Sequence, residues 1–131
     1  MLINPTIFQF DSDENYHTVA DLICYNMDLE ILEHVMTVEH ARKITNSIRN
    51  KGLQPDIIIV SKLLDNDFND GEKLAKFFRE NSAQTKIIAY TIDKEVEWAD
   101  YIALKTSKDV DKSLVSVLEQ ITGKKCKFSN A

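Results

Sequence analysis

The sequence has few of the residues that loops, linkers and disulfide scaffolds use. Its 131 residues include three glycines, two prolines and two cysteines. So little glycine and proline excludes a collagen-like or low-complexity chain, and two cysteines are too few for a disulfide-stapled fold. Cys24 lies in an apolar helical pattern and Cys126 near the end of the chain, so we predict a free buried thiol and a free exposed thiol.

Long apolar runs are missing too. The run Ile57–Val60 is far shorter than the ~20 residues that a membrane helix needs. The first ten residues, MLINPTIFQF, lack the basic start and long apolar stretch of a signal peptide. We therefore expect a cytoplasmic protein with no membrane partner.

An excess of positive charge is also absent. The formal net charge is -5, which argues against nucleic acid as a partner, because that binding depends on lysine and arginine at phosphates. The charge is uneven, since residues 1–104 carry a net -8 and residues 105–131 a net +3. We predict one domain over residues 1–123 and a short basic C-terminal tail over 124–131.

What the sequence does contain is an alternation of strand and helix patterns. Short apolar runs predict five strands, and apolar residues at helical spacing predict a helix after most of them. The continuous β-branched run of the third strand is typical of a strand covered on both faces. The alternation predicts a single-domain α/β fold with a doubly wound five-stranded parallel sheet.

Polar side chains stand where the predicted strands end. In parallel sheets of this class, ligands and chemistry lie beyond the carboxyl ends of the strands. The candidate site residues at those ends are Asp11, Ser12, Asp13, Ser61, Thr91 and Lys105.

Six segments in order resemble the receiver domain of two-component response regulators. They are IFQFDSDEN, TVEHARKI, PDIIIVS, DG at 70–71, IIAYT and ADYIALK, and the resemblance covers roughly residues 5 to 122. It implies a CheY-like, flavodoxin-like sheet of strand order 2-1-3-4-5 and a role in phosphorelay signalling. In that family an acidic pair and a third-strand aspartate hold Mg²⁺, and the aspartate takes the phosphoryl group.

The sequence departs from this pattern at the phosphoacceptor. Ser61 stands in place of the aspartate, and a hydroxyl is a weaker nucleophile that brings no negative charge to a metal. Ser12 replaces the second acidic residue of the pair, and Asp13 lies one residue late. We predict a pseudo-receiver with a degenerate phosphorylation site and no catalytic residue. It is not an enzyme, it has no cofactor, and it binds Mg²⁺ only weakly, through Asp11 and Asp13.

The fourth crossover is short. Thr91 and Lys105 are 14 residues apart, about two helical turns, or roughly 7 residues, below the family norm, and Thr106 replaces the usual proline after the lysine. We predict that the fourth helix is shortened or missing. Trp98 and Tyr101 beside it are candidates for binding a protein partner, or a second copy of this chain, or for packing in the core.

Three alternative functions compete with this prediction. A receiver could be phosphorylated at an off-register aspartate, Asp65 or Asp67, of the loop after the third strand. A flavin- or nucleotide-binding flavodoxin-like protein would need a phosphate-binding loop, whereas DSDEN at 11–15 presents carboxylates. A calcium loop starting at Asp65 fails at its glycine and glutamate positions. The three histidines, His17, His34 and His40, show no metal-ligand spacing.

Overall fold

The computed structural model describes residues 4–62, 64, 70–93, 95–105 and 112–127. Strands and helices alternate along these residues, and most strands are followed by a helix. In chain order the elements are β1 (Ile7–Phe10), α1 (Glu14–Tyr25), β2 (Ile31–Val35), α2 (Val38–Arg49), β3 (Ile57–Val60), α3 (Asp70–Asn81), β4 (Lys86–Thr91), β5 (Tyr101–Leu104) and α4 (Lys112–Thr122).

The five strands form one sheet in the order β2-β1-β3-β4-β5. All four neighbouring pairs are parallel. This confirms the predicted flavodoxin-like α/β fold and its strand order. The central strand β3 is fully buried along its length, as its continuous β-branched sequence predicted.

Two hydrophobic cores cover the two faces of the sheet, because successive strand residues point to opposite sides. Ile57 and Ile59 of β3 pack in one core with α1 and α4. Ile58 and Val60 pack in the other core with α2 and α3. The sheet is therefore held between two helical layers, and its strand ends remain accessible at one edge.

A helix cap follows β1. Asp13 is the N-cap of α1, and its Oδ1 accepts a hydrogen bond of 2.9 Å from the backbone N–H of Asn15. Such a cap satisfies an N–H that has no partner within the helix. The cap fixes where α1 starts relative to the end of β1.

The helix expected between β4 and β5 is missing from the described part of this crossover, which comprises residues 92, 93 and 95–100. Asp100 holds the end of this crossover, because its Oδ2 accepts hydrogen bonds from the Ile87 backbone N–H at 2.8 Å and from Arg79 at 3.0 Å. Its Oδ1 accepts a second Arg79 bond at 2.9 Å. A bidentate ion pair to α3 thus stabilises a connection that lacks a helix.

The prediction that Cys126 is exposed is wrong. The chain turns at Gly123, which has a positive φ of 72°, and returns across the end of α1, where Lys127 N–H donates to Asn26 O at 3.1 Å. Cys126 is buried in the core between the sheet, α1 and α4, where a thiol packs as a small hydrophobic group. Cys24 and Cys126 are both free, and burial raises the pKa of Cys24 to about 12.

Among the described residues, no helix is both long and apolar enough to cross a membrane.

Candidate functional site at the strand ends

The hydrogen bonds of the sheet continue one residue past the strands and bring the candidate residues together. The backbone N–H of Asp11 donates to Val35 O, that of Ser61 to Phe10 O, and that of Lys105 to Thr91 O, at 2.8 to 2.9 Å. The side chains that follow these strands line a cleft of about 420 Å³. All six predicted site residues line this cleft: Asp11, Ser12, Asp13, Ser61, Thr91 and Lys105.

Lys105 forms the centre of the cleft. Its Nζ lies 2.8 Å from Asp11 Oδ2, and the two side chains are only 9% and 2% exposed. The contact is an ion pair without the alignment of a hydrogen bond. Lys105 Nζ also donates to Ser61 Oγ at 3.3 Å. One ammonium group therefore connects the end of β1 with the end of β3.

Two tyrosines surround the same ammonium group. Lys105 Nζ lies 4.1 Å from the ring centroid of Tyr16 and 5.5 Å from that of Tyr90. The two rings pack edge to face with centroids 5.5 Å apart. Because a cation over an aromatic face is attracted to it, the tyrosines hold Lys105 against Asp11.

Of the two aspartates that follow β1, Asp11 and Asp13, one has a buried carboxylate. Asp11 is buried, and its Oδ1 accepts a hydrogen bond of 2.9 Å from the Asp13 backbone N–H. Asp13 is exposed and its own carboxylate caps α1, while Ser12 is exposed. Both oxygens of Asp11 are thus engaged, one by a backbone N–H and one by Lys105.

Gly71 allows α3 to pack directly against the end of β3. A Cβ atom at Gly71 would lie 2.4 Å from the carbonyl oxygen of Ser61 and 3.0 Å from Cα of Lys62. The Gly71 N–H also donates to Lys62 O at 3.2 Å. The predicted DG segment therefore has a structural role, since a side chain at residue 71 would push α3 away from the cleft.

A second ion pair crosses the cleft mouth. Lys62, next to Ser61, binds the carboxylate of Asp93, and both side chains are about two-fifths exposed. Thr91 Oγ1 accepts the Asp93 backbone N–H at 3.2 Å. Because β3 and β4 are neighbours in the sheet, residues just after their ends meet across the opening.

Sequence reasoning missed three of these residues: Tyr16, Lys62 and Asp93. Tyr16 is the third residue of α1, and a first-turn residue after a strand-to-helix turn faces the strand ends. Lys62 and Asp93 each lie one or two residues beyond a predicted site residue. Their proximity follows from the strand order, which is the signal that could have identified them.

The two candidate interaction residues lie against different cores. Trp98 packs against the core of α2 and α3, in the region of the missing helix. Tyr101 packs against the core of α1 and α4. The structure does not bring them together in one groove. Asp65 and Asp67, the off-register acceptor candidates, and Thr106 lie outside the described residues.

No protein-family model matches the chain, and no curated protein matches it. Solved structures do match. A LuxR-family two-component response regulator from Aurantimonas sp. SI85-9A1 is 16% identical, with a TM-score of 0.69 over 92% of this chain and 86% of that chain. The signal receiver domain of an HD domain-containing protein from Pseudomonas fluorescens Pf-5 is 17% identical, with a TM-score of 0.71 over 94% and 90%.

A third match is the signal receiver domain of a putative Luxo repressor protein from Vibrio parahaemolyticus, 18% identical, with a TM-score of 0.68 over 92% of each chain. The fold is that of receiver domains. At such low identity the receiver fold is shared without any indication of shared chemistry. Among the described residues, the cleft at the carboxyl ends of the strands contains Ser61, Lys105 and one buried carboxylate, that of Asp11.

Proposed function

We propose that the chain is a receiver-like signalling module that binds a protein partner and is not phosphorylated on an aspartate. The observation that supports this most strongly is the residue at the end of β3. Ser61 directly follows β3, where the resemblance to receiver domains puts the phosphoacceptor, and Lys105 donates to its Oγ at 3.3 Å. A serine hydroxyl needs a neighbouring base to act as a nucleophile, and an ammonium group that donates a hydrogen bond to it is not a base.

The same cleft is poorly suited to Mg²⁺. This ion prefers carboxylate and water oxygens in an octahedral arrangement. Asp11 Oδ2 already faces the ammonium of Lys105 at 2.8 Å, and the Asp13 carboxylate caps a helix. Because Lys105 supplies the positive charge that a metal would supply, we propose that the protein works without a cofactor and binds Mg²⁺ only in the millimolar range, about 4 kcal/mol or less.

The proposed output is an interaction and not a reaction. A serine hydroxyl cannot form the acyl phosphate that an aspartate forms, so in this proposal binding depends on surfaces present in the folded protein. Two apolar side chains lie on the side of the missing helix: Ile92, which is 77% exposed at the cleft, and Trp98, which is partly buried. We propose a cytoplasmic protein partner, or a second copy of this chain, at this side, without enzymatic activity and without nucleic-acid or membrane binding.

Phosphoryl labelling tests the proposal. The purified protein is incubated with labelled acetyl phosphate and Mg²⁺ beside an ordinary receiver domain as positive control. We expect the control alone to acquire a label that hydroxylamine removes. A hydroxylamine-sensitive label on this protein would contradict the proposal, and its loss in Asp65→Asn or Asp67→Asn would identify the off-register acceptor.

A further inference from the structure

A second polar cluster lies beneath α1, outside the cleft. His17 of α1 is buried, and His34 of β2 is about one-quarter exposed. Their Nδ1 atoms are 2.7 Å apart, and the rings meet edge to face with centroids 4.8 Å apart. These two histidines are 17 residues apart in the chain and meet only because β2 pairs with β1 beside α1.

The outer nitrogens of both rings are donors. His17 Nε2 lies 2.8 Å from the backbone oxygen of Asp11, and His34 Nε2 lies 2.9 Å from Asp21 Oδ1. A carbonyl oxygen and an ionised carboxylate only accept hydrogen bonds, so each Nε2 carries a hydrogen. In the neutral imidazole each Nδ1 then presents a lone pair to the other. Two lone pairs at this distance repel unless a positive particle lies between them.

That arrangement is the one found around metal-binding histidines. A ligating imidazole usually donates its second N–H to a carboxylate or a backbone carbonyl, which fixes the ring and makes it a better ligand. His17 and His34 each have such a partner. We propose that their two Nδ1 atoms form a binding site for a divalent transition-metal ion of the zinc class, with solvent in the remaining coordination positions.

The protein can form this site with a small movement. Nitrogen atoms on one tetrahedral zinc, each 2.0–2.1 Å from the metal, are about 3.3 Å apart, so the present separation must grow by about 0.6 Å. His34 can make the change because it lies on the edge strand β2 and reaches solvent. Burial lowers the pKa of His17, although its bond to Asp11 O acts in the opposite direction.

A buried amide side chain lies next to His34 in the sheet. Gln9, which pairs with His34 in the β1–β2 register, is fully buried. Its Nε2 donates to Tyr16 O, whereas its Oε1 has no hydrogen-bond partner among the described residues. No group of three or more His, Cys, Asp or Glu in the described ranges is arranged to hold a metal. The site therefore depends on two imidazoles, which makes removal of either one decisive.

Zinc titration tests the site. Calorimetry with Zn²⁺ is compared between wild type, His34→Gln, Asp21→Asn and the control His40→Gln. His40 is a surface histidine 3.5 Å from Glu33, and both side chains are about two-fifths exposed. We expect one Zn²⁺ per chain in wild type and in His40→Gln, no binding at this site in His34→Gln, and an affinity at least tenfold lower in Asp21→Asn. Imidazole ¹⁵N NMR of wild type should show both Nδ1 signals move on Zn²⁺ addition.

Several results would overturn the site. If wild type shows no Zn²⁺-dependent heat or imidazole shift, the two nitrogens share a proton only. Equal affinity in His34→Gln and wild type, or loss of binding in His40→Gln, would place any zinc elsewhere. Unchanged affinity in Asp21→Asn would contradict the orienting role of this carboxylate. Circular dichroism of each variant shows that it is folded before the comparison is made.

Discussion

Replacing Lys105 by methionine should destabilise the protein strongly, because it leaves a buried carboxylate without its cation. Methionine retains most of the apolar stem beside Tyr16 and Tyr90 but removes the charge. Asp11 is 2% exposed at its side chain and 2.8 Å from the ammonium group. After the substitution only the Asp13 backbone N–H, at 2.9 Å, remains to stabilise the carboxylate among the contacts described here.

The magnitude follows from the burial of the pair. Removing one partner of a buried ion pair costs about 3–5 kcal/mol. The cleft opens to solvent, so we place Lys105→Met at the lower end, about 3 kcal/mol, or a decrease of about 10 °C in Tm for a domain of this size. Lys62→Met is the matched control, since its ion pair with Asp93 is about two-fifths exposed and should contribute about 1 kcal/mol or less.

Urea unfolding of a double-mutant cycle provides the assay. Asp11→Asn removes the charge while keeping an oxygen for the Asp13 N–H, so the double variant Asp11→Asn/Lys105→Met should be less destabilised than the sum of the single changes, by about 2 kcal/mol. The reasoning is refuted if Lys105→Met costs no more than Lys62→Met, or if the two single effects simply add.

Three further predictions concern the elements around the cleft. Gly71→Ala should lower the free energy of unfolding by about 1–3 kcal/mol, because its Cβ would lie 2.4 Å from Ser61 O; an unchanged urea midpoint would contradict this contact. Burial alone would raise the pKa of Asp100, but hydrogen bonds from Arg79 and the Ile87 N–H lower it overall. Asp100 therefore contributes about 1 kcal/mol to the free energy of unfolding at pH values above its unfolded pKa of about 3.9. This contribution is lost as pH falls through its lower folded-state pKa. The difference in free energy of unfolding between wild type and Asp100→Asn should therefore shrink as the pH is lowered. A difference that grows in acid would contradict this prediction. Trp98→Ser should weaken partner or self-association measured by sedimentation at matched folded concentration, whereas unfolding with unchanged association would make Trp98 a core residue only.

The strands could be predicted because their signals are local, whereas their order was predicted from the resemblance to receiver domains. A run such as Ile57–Val60 indicates a strand buried on both faces, and the alternation with helical patterns leaves few topologies. The 14 residues from Thr91 to Lys105, compared with the family norm, predicted that the fourth helix is shortened or missing. Ligands of parallel sheets bind beyond the carboxyl ends of the strands, and this rule identified the six candidate residues that line one cleft.

The remaining features depend on how the chain returns in space. Cys126 was predicted to be exposed because it lies near the end of the chain, yet the turn at Gly123 brings it back under α1. His17 and His34 show no ligand spacing along the chain, because that rule applies within one element, whereas these residues come from a helix and a strand. Lys105 pairs with Asp11 and not with Asp13, because the Asp13 carboxylate caps α1 and is exposed.

The central claim is that Ser61 at the end of β3 leaves this receiver fold without a phosphoacceptor. Intact-mass spectrometry after incubation with phosphoramidate and Mg²⁺ tests it most directly, comparing wild type with Ser61→Asp, which places a carboxylate at the end of β3. We predict an unchanged wild-type mass, and an added phosphoryl group, lost on hydroxylamine treatment, in Ser61→Asp alone. A hydroxylamine-sensitive phosphoryl group on the wild-type protein would contradict the account.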